Sequence, residues 1–131
     1  MGRMKENPTH PYMLDVAKLP DGRFLVGLPG NPLAAMMAML TVTAPLLAGL
    51  RGAPLAELGT VTSADAFEPL TGRSRLVPYS VEPDGGRAVP STHQRSGMLR
   101  GLAAADGVLV VPGEGCAAGD ELPAFPLPWT R

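Results

Sequence analysis

The chain has 131 residues, 45% of them hydrophobic, which is enough to build the core of one ordinary domain or two small ones. Its 11 basic and 12 acidic side chains give a net charge of -1, and no Lys or Arg cluster forms a track for a phosphate backbone, so we expect no nucleic-acid partner. One cysteine excludes an internal disulfide, and MGRMKENPTHPY lacks the apolar stretch of a secretory signal, so we expect a cytoplasmic protein.

The first predicted elements are a β-hairpin and a long helix. Two extended segments, 12–18 and 24–28, flank the turn LPDGR. Ala, Met and Leu favour a helix from Leu33 to Leu50, and we expect Pro45 to kink or divide it, since proline lacks a backbone donor and clashes with the preceding turn. Because this helix carries no charged side chain, we expect it to be buried on every face, in a larger domain or at an interface.

The uncharged run from Phe24 to Leu50 also has the length of a membrane span. The segment PGNP at 29–32 divides that run into a strand and a helix, and Ala, Gly, Thr and Pro lower its hydrophobicity. We therefore predict a buried helix of a soluble protein and no membrane partner.

The pattern changes after a linker at RGAPLAELG, residues 51–59, which separates two predicted domains, 1–55 and 56–131. Beyond the linker, a strand at 76–81, a turn at PDGG and a partner strand at 87–90 predict a second hairpin. Short extended segments in place of a helical pattern indicate a separate β-rich unit.

One short helix and two more strands are predicted for the end of the chain. Four apolar residues recur at helical spacing: Met98, Leu99, Leu102 and Ala105. Gly107 stands where a left-handed cap would end that helix, and 108–111 form an apolar strand. The last strand contains three prolines, which suits an edge position: Pro123, Pro126 and Pro128.

The strongest site signal is VGLPGNP at 26–32, which joins a strand end, a glycine turn, an Asn31 N-cap and a proline at the first helical position. The amides of a first helical turn and the helix dipole attract anions without any basic side chain. A purely structural corner between a strand and a helix explains the same residues equally well. The residues alone leave both interpretations open.

Two motifs, in order along the chain, carry a family resemblance. The first is GLPGNPLAAMMAML, followed by Pro45 and Gly52, and the second is STHQRSGMLRGLAAADGVLVVPGEGCAAGDEL. Together they resemble the C-terminal portion of the molybdopterin molybdenumtransferase family, the MoeA and gephyrin E-domain group. The resemblance covers essentially the whole chain but only the C-terminal part of a family member.

The resemblance implies an α+β fold. It assigns 1–55 to the C-terminal piece of a molybdopterin-binding α/β layer, made of the hairpin and the buried helix, and 56–131 to a small β-barrel-like domain. It also implies molybdenum cofactor biosynthesis, in which the family inserts molybdate into adenylylated molybdopterin and releases AMP, using magnesium. Most of the family's active site has no counterpart here, so we expect the chain to be incomplete and inactive alone, and its status as an enzyme stays open.

Six residues are cofactor-binding by this resemblance: Gly27, Pro29, Gly30, Asn31, Pro32 and Ser91. No catalytic residue and no metal ligand is assigned, and Mg²⁺ and molybdopterin are implied by the family alone. The family's basic Pro-Gly stretch is followed only in part at 5–11, so a phosphate contact there would be weaker or different.

Other candidate residues have simpler explanations. GDEL at 119–122 is read as a loop of the β domain, and one pair of carboxylates is too few for a magnesium site. Cys116 and His10 have no partner at a suitable spacing for catalysis or metal binding. A hydrolytic triad would need a strand-elbow-helix to present its nucleophile, which is missing around the residues that could form one: Ser91, His93, and Asp106 or Asp120.

Two alternatives remain open. The chain could be a non-catalytic binding or scaffold module, whose β domain and apolar helix contact another protein. In either role the helix at 32–50 calls for a covering surface, from a second copy or from a partner chain. The chain could also be a remnant that folds poorly, because one hairpin and one helix expose an apolar face.

Overall fold

A computed structural model describes residues 14–91 and 99–129. The chain forms two compact units, Met1–Leu55 and Ala56–Arg131, with helix and hairpin in the first and a curled sheet in the second. This mixture confirms the predicted α+β class. Each unit is described by itself below.

The first unit begins with an antiparallel hairpin. Strands β1 (Asp15–Lys18) and β2 (Phe24–Gly27) pair with Val16 opposite Val26. The turn between them closes through a hydrogen bond from the Leu19 amide to the Arg23 carbonyl, at 2.7 Å, and Gly22 has φ +89°, a left-handed conformation that favours glycine. The hairpin prediction is confirmed over these residues, while the predicted residues 12 and 13 lie outside the described part of the chain.

A helical run from Pro32 to Leu50 follows, in three segments. These are α1 (Pro32–Ala38), a π-helical segment (Met39–Thr43) and α2 (Ala44–Leu50). Pro45 lies in the first turn of α2, and the π-helical segment directly before it shifts the backbone by one residue, so that the Ala44 amide bonds to the Met39 carbonyl. The expected division at Pro45 therefore takes the form of a π-helical turn within a continuous run.

Few side chains of this helical run are fully buried. Among the described residues, Leu33 and Ala38 are its only buried members, and Leu47 and Leu50 are more than half exposed, at 52% and 57%. By length and composition the run could cross a membrane, but a single such helix is weak evidence, because the core helix of a soluble protein passes the same test. The burial expected for this helix is not supplied by the described part of the chain.

The second unit is a five-stranded sheet curled into a half-barrel, with one short helix. Its elements in chain order are β3 (Gly59–Thr62), β4 (Arg75–Val81), β5 (Ala88–Pro90), α3 (Leu99–Ala103), β6 (Gly107–Val111) and β7 (Glu121–Pro126). All neighbours are antiparallel, in the order β3-β7-β6-β4-β5. A single parallel bridge from Ser63, directly after β3, to Ala88 of β5 links the two ends of the sheet.

The predicted edge position of the last strand is wrong, because β7 lies between β3 and β6. Its first half, including Pro123, pairs with β3, and its last part, including Pro126, pairs with β6. Each proline therefore has a paired neighbour on one side only, where a missing N–H costs least. Strand β3 itself was not predicted, since its residues fall in and after the segment interpreted as a linker.

Gly107 is not the left-handed cap that the sequence suggested. It has no positive φ and is the first residue of β6, directly opposite Tyr79. A Cβ added at this position would lie 2.7 Å from Tyr79 Oη and 2.9 Å from the Phe125 carbonyl oxygen. The glycine is therefore required by close packing of the tyrosine ring rather than by helix termination.

The half-barrel encloses its own core. The buried residues that pack together come from four of the five strands and include the apolar strand predicted at 108–111: Val77, Tyr79, Ala88, Leu109, Val111, Leu122 and Ala124. Two partly buried residues, Val61 and Phe67, also pack against this cluster. The second unit thus has the buried apolar cluster that a stable small domain needs.

Candidate functional site

The predicted anion-binding corner forms where β2 leads into α1. Asn31 is in an extended conformation, with φ -81° and ψ 127°, and its side-chain oxygen accepts a hydrogen bond from the Ala34 amide at 3.0 Å. Its main-chain carbonyl accepts from Ala35 at 2.8 Å, which begins the helical hydrogen bonding. Asn31 followed by Pro32 thus starts the helix in the way that the sequence indicated.

The same geometry limits what the corner can offer to an anion. Pro32 has no N–H, and the Asn31 side chain already occupies the amide of Ala34. Of the four unbonded amides at a helix start, those of Asn31 and Leu33 are then the most that an anion could meet. An anion at this corner would bind through two amides and the helix dipole, and tight binding would need further groups.

Neither glycine of the corner is explained by the residues that the structure describes. Gly27 and Gly30 have no positive φ, so their backbone conformations are open to other residues. A Cβ at Gly30 would meet nothing within 4 Å, and one at Gly27 would touch the Asp15 side chain at an ordinary 3.5 Å. The space beside Gly30 is therefore open to a ligand or to another polypeptide.

Ser91, the sixth predicted site residue, belongs to the other unit and follows β5. Its amide donates to the Pro78 carbonyl at 2.8 Å, which continues the β4–β5 ladder by one step. It lies on an open groove of about 420 Å³ that runs between β5 and α3. The groove is lined by Ser80, Val89, Pro90, Ser91, Arg100, Gly101 and Ala104.

The groove combines apolar walls with a few polar groups, a composition typical of small-molecule sites. Sequence reasoning missed Arg100 and Ser80, because a lone arginine on a helix and a serine on a strand carry no motif. The strand register was the one signal that could have brought Ser80 close to Ser91, because Ser80 lies opposite Val89, two residues before Ser91.

The structure gives no support to the remaining chemical candidates. Asp120 accepts a hydrogen bond from the Ala117 amide at 2.9 Å, and Asp106 accepts one from the Val81 amide at 2.7 Å, so both carboxylates hold backbone in place. Within 14–91 and 99–129 no three His, Cys, Asp or Glu side chains gather where a metal could bind. His10 and His93 lie outside those residues.

Comparison with known proteins shows which family the chain resembles in sequence. The sequence signature of the MoeA C-terminal region, domain IV, matches residues 60–127, which is more than half of the chain. The chain belongs to the MoeA family. It is therefore related to proteins of molybdenum cofactor biosynthesis, and the predicted resemblance is confirmed. No curated protein matches the chain.

Solved structures agree with this family assignment. A molybdenum cofactor biosynthesis protein from Pyrococcus furiosus is 25% identical to this MoeA-family chain, with a TM-score of 0.66. The match covers 78% of this chain and 38% of the Pyrococcus furiosus chain. The molybdopterin biosynthesis moeA protein from Pyrococcus horikoshii OT3 shares the fold, at 23% identity and a TM-score of 0.65. That match covers 81% of this chain and 28% of the Pyrococcus horikoshii chain. The chain spans less than two fifths of the length of either relative.

Proposed function

We propose that this MoeA-family chain takes part in inserting molybdate into adenylylated molybdopterin, the reaction that releases AMP, and that it does so together with further polypeptide. The match to the MoeA C-terminal region carries the proposal. Molybdopterin is the ligand that family membership suggests, and magnesium remains a family-based expectation, since the described residues offer it no cluster of ligands.

Each unit has one surface that we propose as a candidate for ligand contact, and each surface is considered by itself. The first is the corner Gly27–Pro32, where open space beside Gly30 and two first-turn amides suit a phosphate group. The second is the groove that contains Ser91. In this proposal the chain binds and orients the ligand.

The need for further polypeptide is supported by the exposed helix. Its leucines and methionines would bury apolar surface against a partner, at about 25 cal/mol per Å² of apolar area removed from water. The apolar run at Pro32–Leu50 has two buried members in the described part of the chain, so a partner could still cover its exposed leucines.

A direct test mixes the purified chain with a separately expressed amino-terminal portion of a MoeA-family protein. With adenylylated molybdopterin, molybdate and Mg²⁺, we expect AMP release from the mixture and none from either part alone. The melting temperature of the chain should rise when partner and ligand are both present, because both bind only the folded chain. A chain whose melting temperature and AMP release respond to neither would contradict the proposal.

A matched pair of glycine substitutions separates ligand binding from folding. Gly30→Ala and Gly59→Ala each add a Cβ that meets no described residue within 4 Å, at positions without a positive φ. Both should leave the melting temperature unchanged, and only Gly30→Ala should weaken binding of molybdopterin, since its Cβ enters the proposed ligand space. Equal affinity in both variants would remove the corner from the site.

A second function, a non-catalytic binding module, is favoured by the same exposed helix. In that case a protein partner binds the chain with no pterin present, and the amino-terminal portion of a MoeA-family protein restores no AMP release. The mixing experiment therefore distinguishes the two functions.

A further inference from the structure

The groove between β5 and α3 has a positive charge that no motif or comparison assigns. Among the described residues that line the groove, Arg100 is the only charged one, and none of them is a carboxylate. Its guanidinium has neither an ion pair nor a hydrogen bond among the residues that the structure describes, and its side chain is exposed. A guanidinium recognises an oxyanion well, because it can donate two parallel hydrogen bonds to it.

The rest of the lining defines what the anion is attached to. Ser80 adds a hydroxyl group that can donate to an oxyanion, and the hydroxyl group of Ser91 belongs to the same lining. Val89, Pro90 and Ala104 provide apolar wall. A volume of about 420 Å³ falls at the lower end of the range for small-molecule sites and exceeds what one inorganic anion fills. The groove therefore suits a small molecule with one anionic group and an apolar or flat body.

We propose that Arg100, with Ser80 and Ser91, forms a phosphate subsite in this groove for a small phosphorylated ligand. Phosphate fits better than carboxylate, because it carries more charge and a third terminal oxygen with which to reach both the guanidinium and the hydroxyl groups. The subsite rests on the proposed function for the identity of the whole ligand, whereas its preference for phosphate rests on the lining alone.

The edge of β5 supports a small-molecule occupant over an added peptide strand. The Ala88 carbonyl already accepts from the Ala64 amide at 2.8 Å, and Pro90 has no N–H to donate. The exposed side of this three-residue strand thus offers few partners for β-strand addition. The side-chain groups of the groove are what remains for recognition.

The test titrates phenyl phosphate into the full chain and compares Arg100→Gln with Arg87→Gln. Arg87 is an exposed arginine of the same unit outside the lining, so it controls for loss of one positive charge. We expect Arg100→Gln to weaken binding by about tenfold or more, as for a lost hydrogen bond to a charged group. Arg87→Gln should change it by less than about twofold, as for a distant screened charge.

Three further arms make the outcome decisive. Ser91→Ala and Ser80→Ala should each weaken binding less than Arg100→Gln, benzoate should bind more weakly than phenyl phosphate, and inorganic phosphate should compete. The subsite is refuted if Arg100→Gln and Arg87→Gln behave alike, if benzoate binds as tightly, or if no binding saturates. Phenyl phosphate binding without any AMP release in the mixing experiment would retain the subsite and reject the proposed function.

Discussion

The two units of this chain differ in where their apolar residues lie. The half-barrel has a core of apolar residues, with Leu109 and Val111 of β6 fully buried in it. The helical unit leaves them outside: Leu25, Leu47 and Leu50 are each more than half exposed. The difference teaches that the β unit has its own buried core, whereas the helical unit has a surface suited to a larger assembly.

The largest expected effect comes from a core leucine compared with a helix leucine. Leu109→Ala should destabilise the chain by about 2–5 kcal/mol, since it leaves a cavity in the core of the half-barrel. Leu47→Ala should cost well under about 1 kcal/mol, because its side chain is already half in water. Urea unfolding followed by circular dichroism measures both, and similar losses would show that the helix is covered within the chain.

A packing glycine gives the next largest effect. Gly107→Ala places a Cβ 2.7 Å from Tyr79 Oη, so the tyrosine ring must move, at a cost of about 1–3 kcal/mol. Gly59→Ala, in β3 of the same sheet, adds a Cβ into open space and should be neutral. Melting temperatures compare the two, and an unchanged Gly107→Ala protein would disprove the close packing of Tyr79.

The start of the helical run provides a test confined to the other unit. Asn31→Ala removes the side-chain hydrogen bond to the Ala34 amide and should destabilise the helix by about 1 kcal/mol. Asn31→Asp keeps an acceptor and serves as the control. Far-ultraviolet circular dichroism should show a loss of helix in the alanine variant alone, and equal helix content in both variants would mean that the cap does not hold the helix start.

The smallest effect concerns pH. Burial, reinforced by the negative charge of Asp106, raises the pKa of the Tyr79 hydroxyl above its ordinary value. The folded state therefore favours the neutral phenol, so this contribution to stability is complete below the unfolded pKa of about 10 and is lost as pH rises through the folded pKa. Tyr79→Phe should flatten the alkaline end of the stability profile, and an identical profile above pH 10 would contradict this assignment.

Local chemistry explains which parts of the fold were predictable. The turn around Gly22, the apolar strand β6 and the Asn31-Pro32 helix start each depend on neighbours in sequence, and each was predicted. Strand β3 and the inner position of β7 depend on pairing between segments that are distant in sequence. The proline content of β7 alone gave the wrong position for that strand. The role of Gly107 was predicted wrongly, because the side chain that requires a glycine there, the ring of Tyr79, lies on another strand.

The candidate site follows the same rule. The corner at Gly27–Pro32 is one continuous motif, so the sequence identified it together with its alternative. The groove joins Ser80 to Arg100 across a strand pair and a helix, and no spacing along the chain brings them together. Arg100 became a candidate only when the lining of the groove was known.

Hydrogen exchange of the full chain, with and without the amino-terminal portion of a MoeA-family protein, tests the central claim most directly. The account predicts strong protection at 108–111 in both samples, and weak protection at 33–50 that increases when the partner is added. Helix amides as protected as those of β6 in the chain alone, or unchanged by the partner, would contradict the claim that this helical unit is built to join a larger assembly.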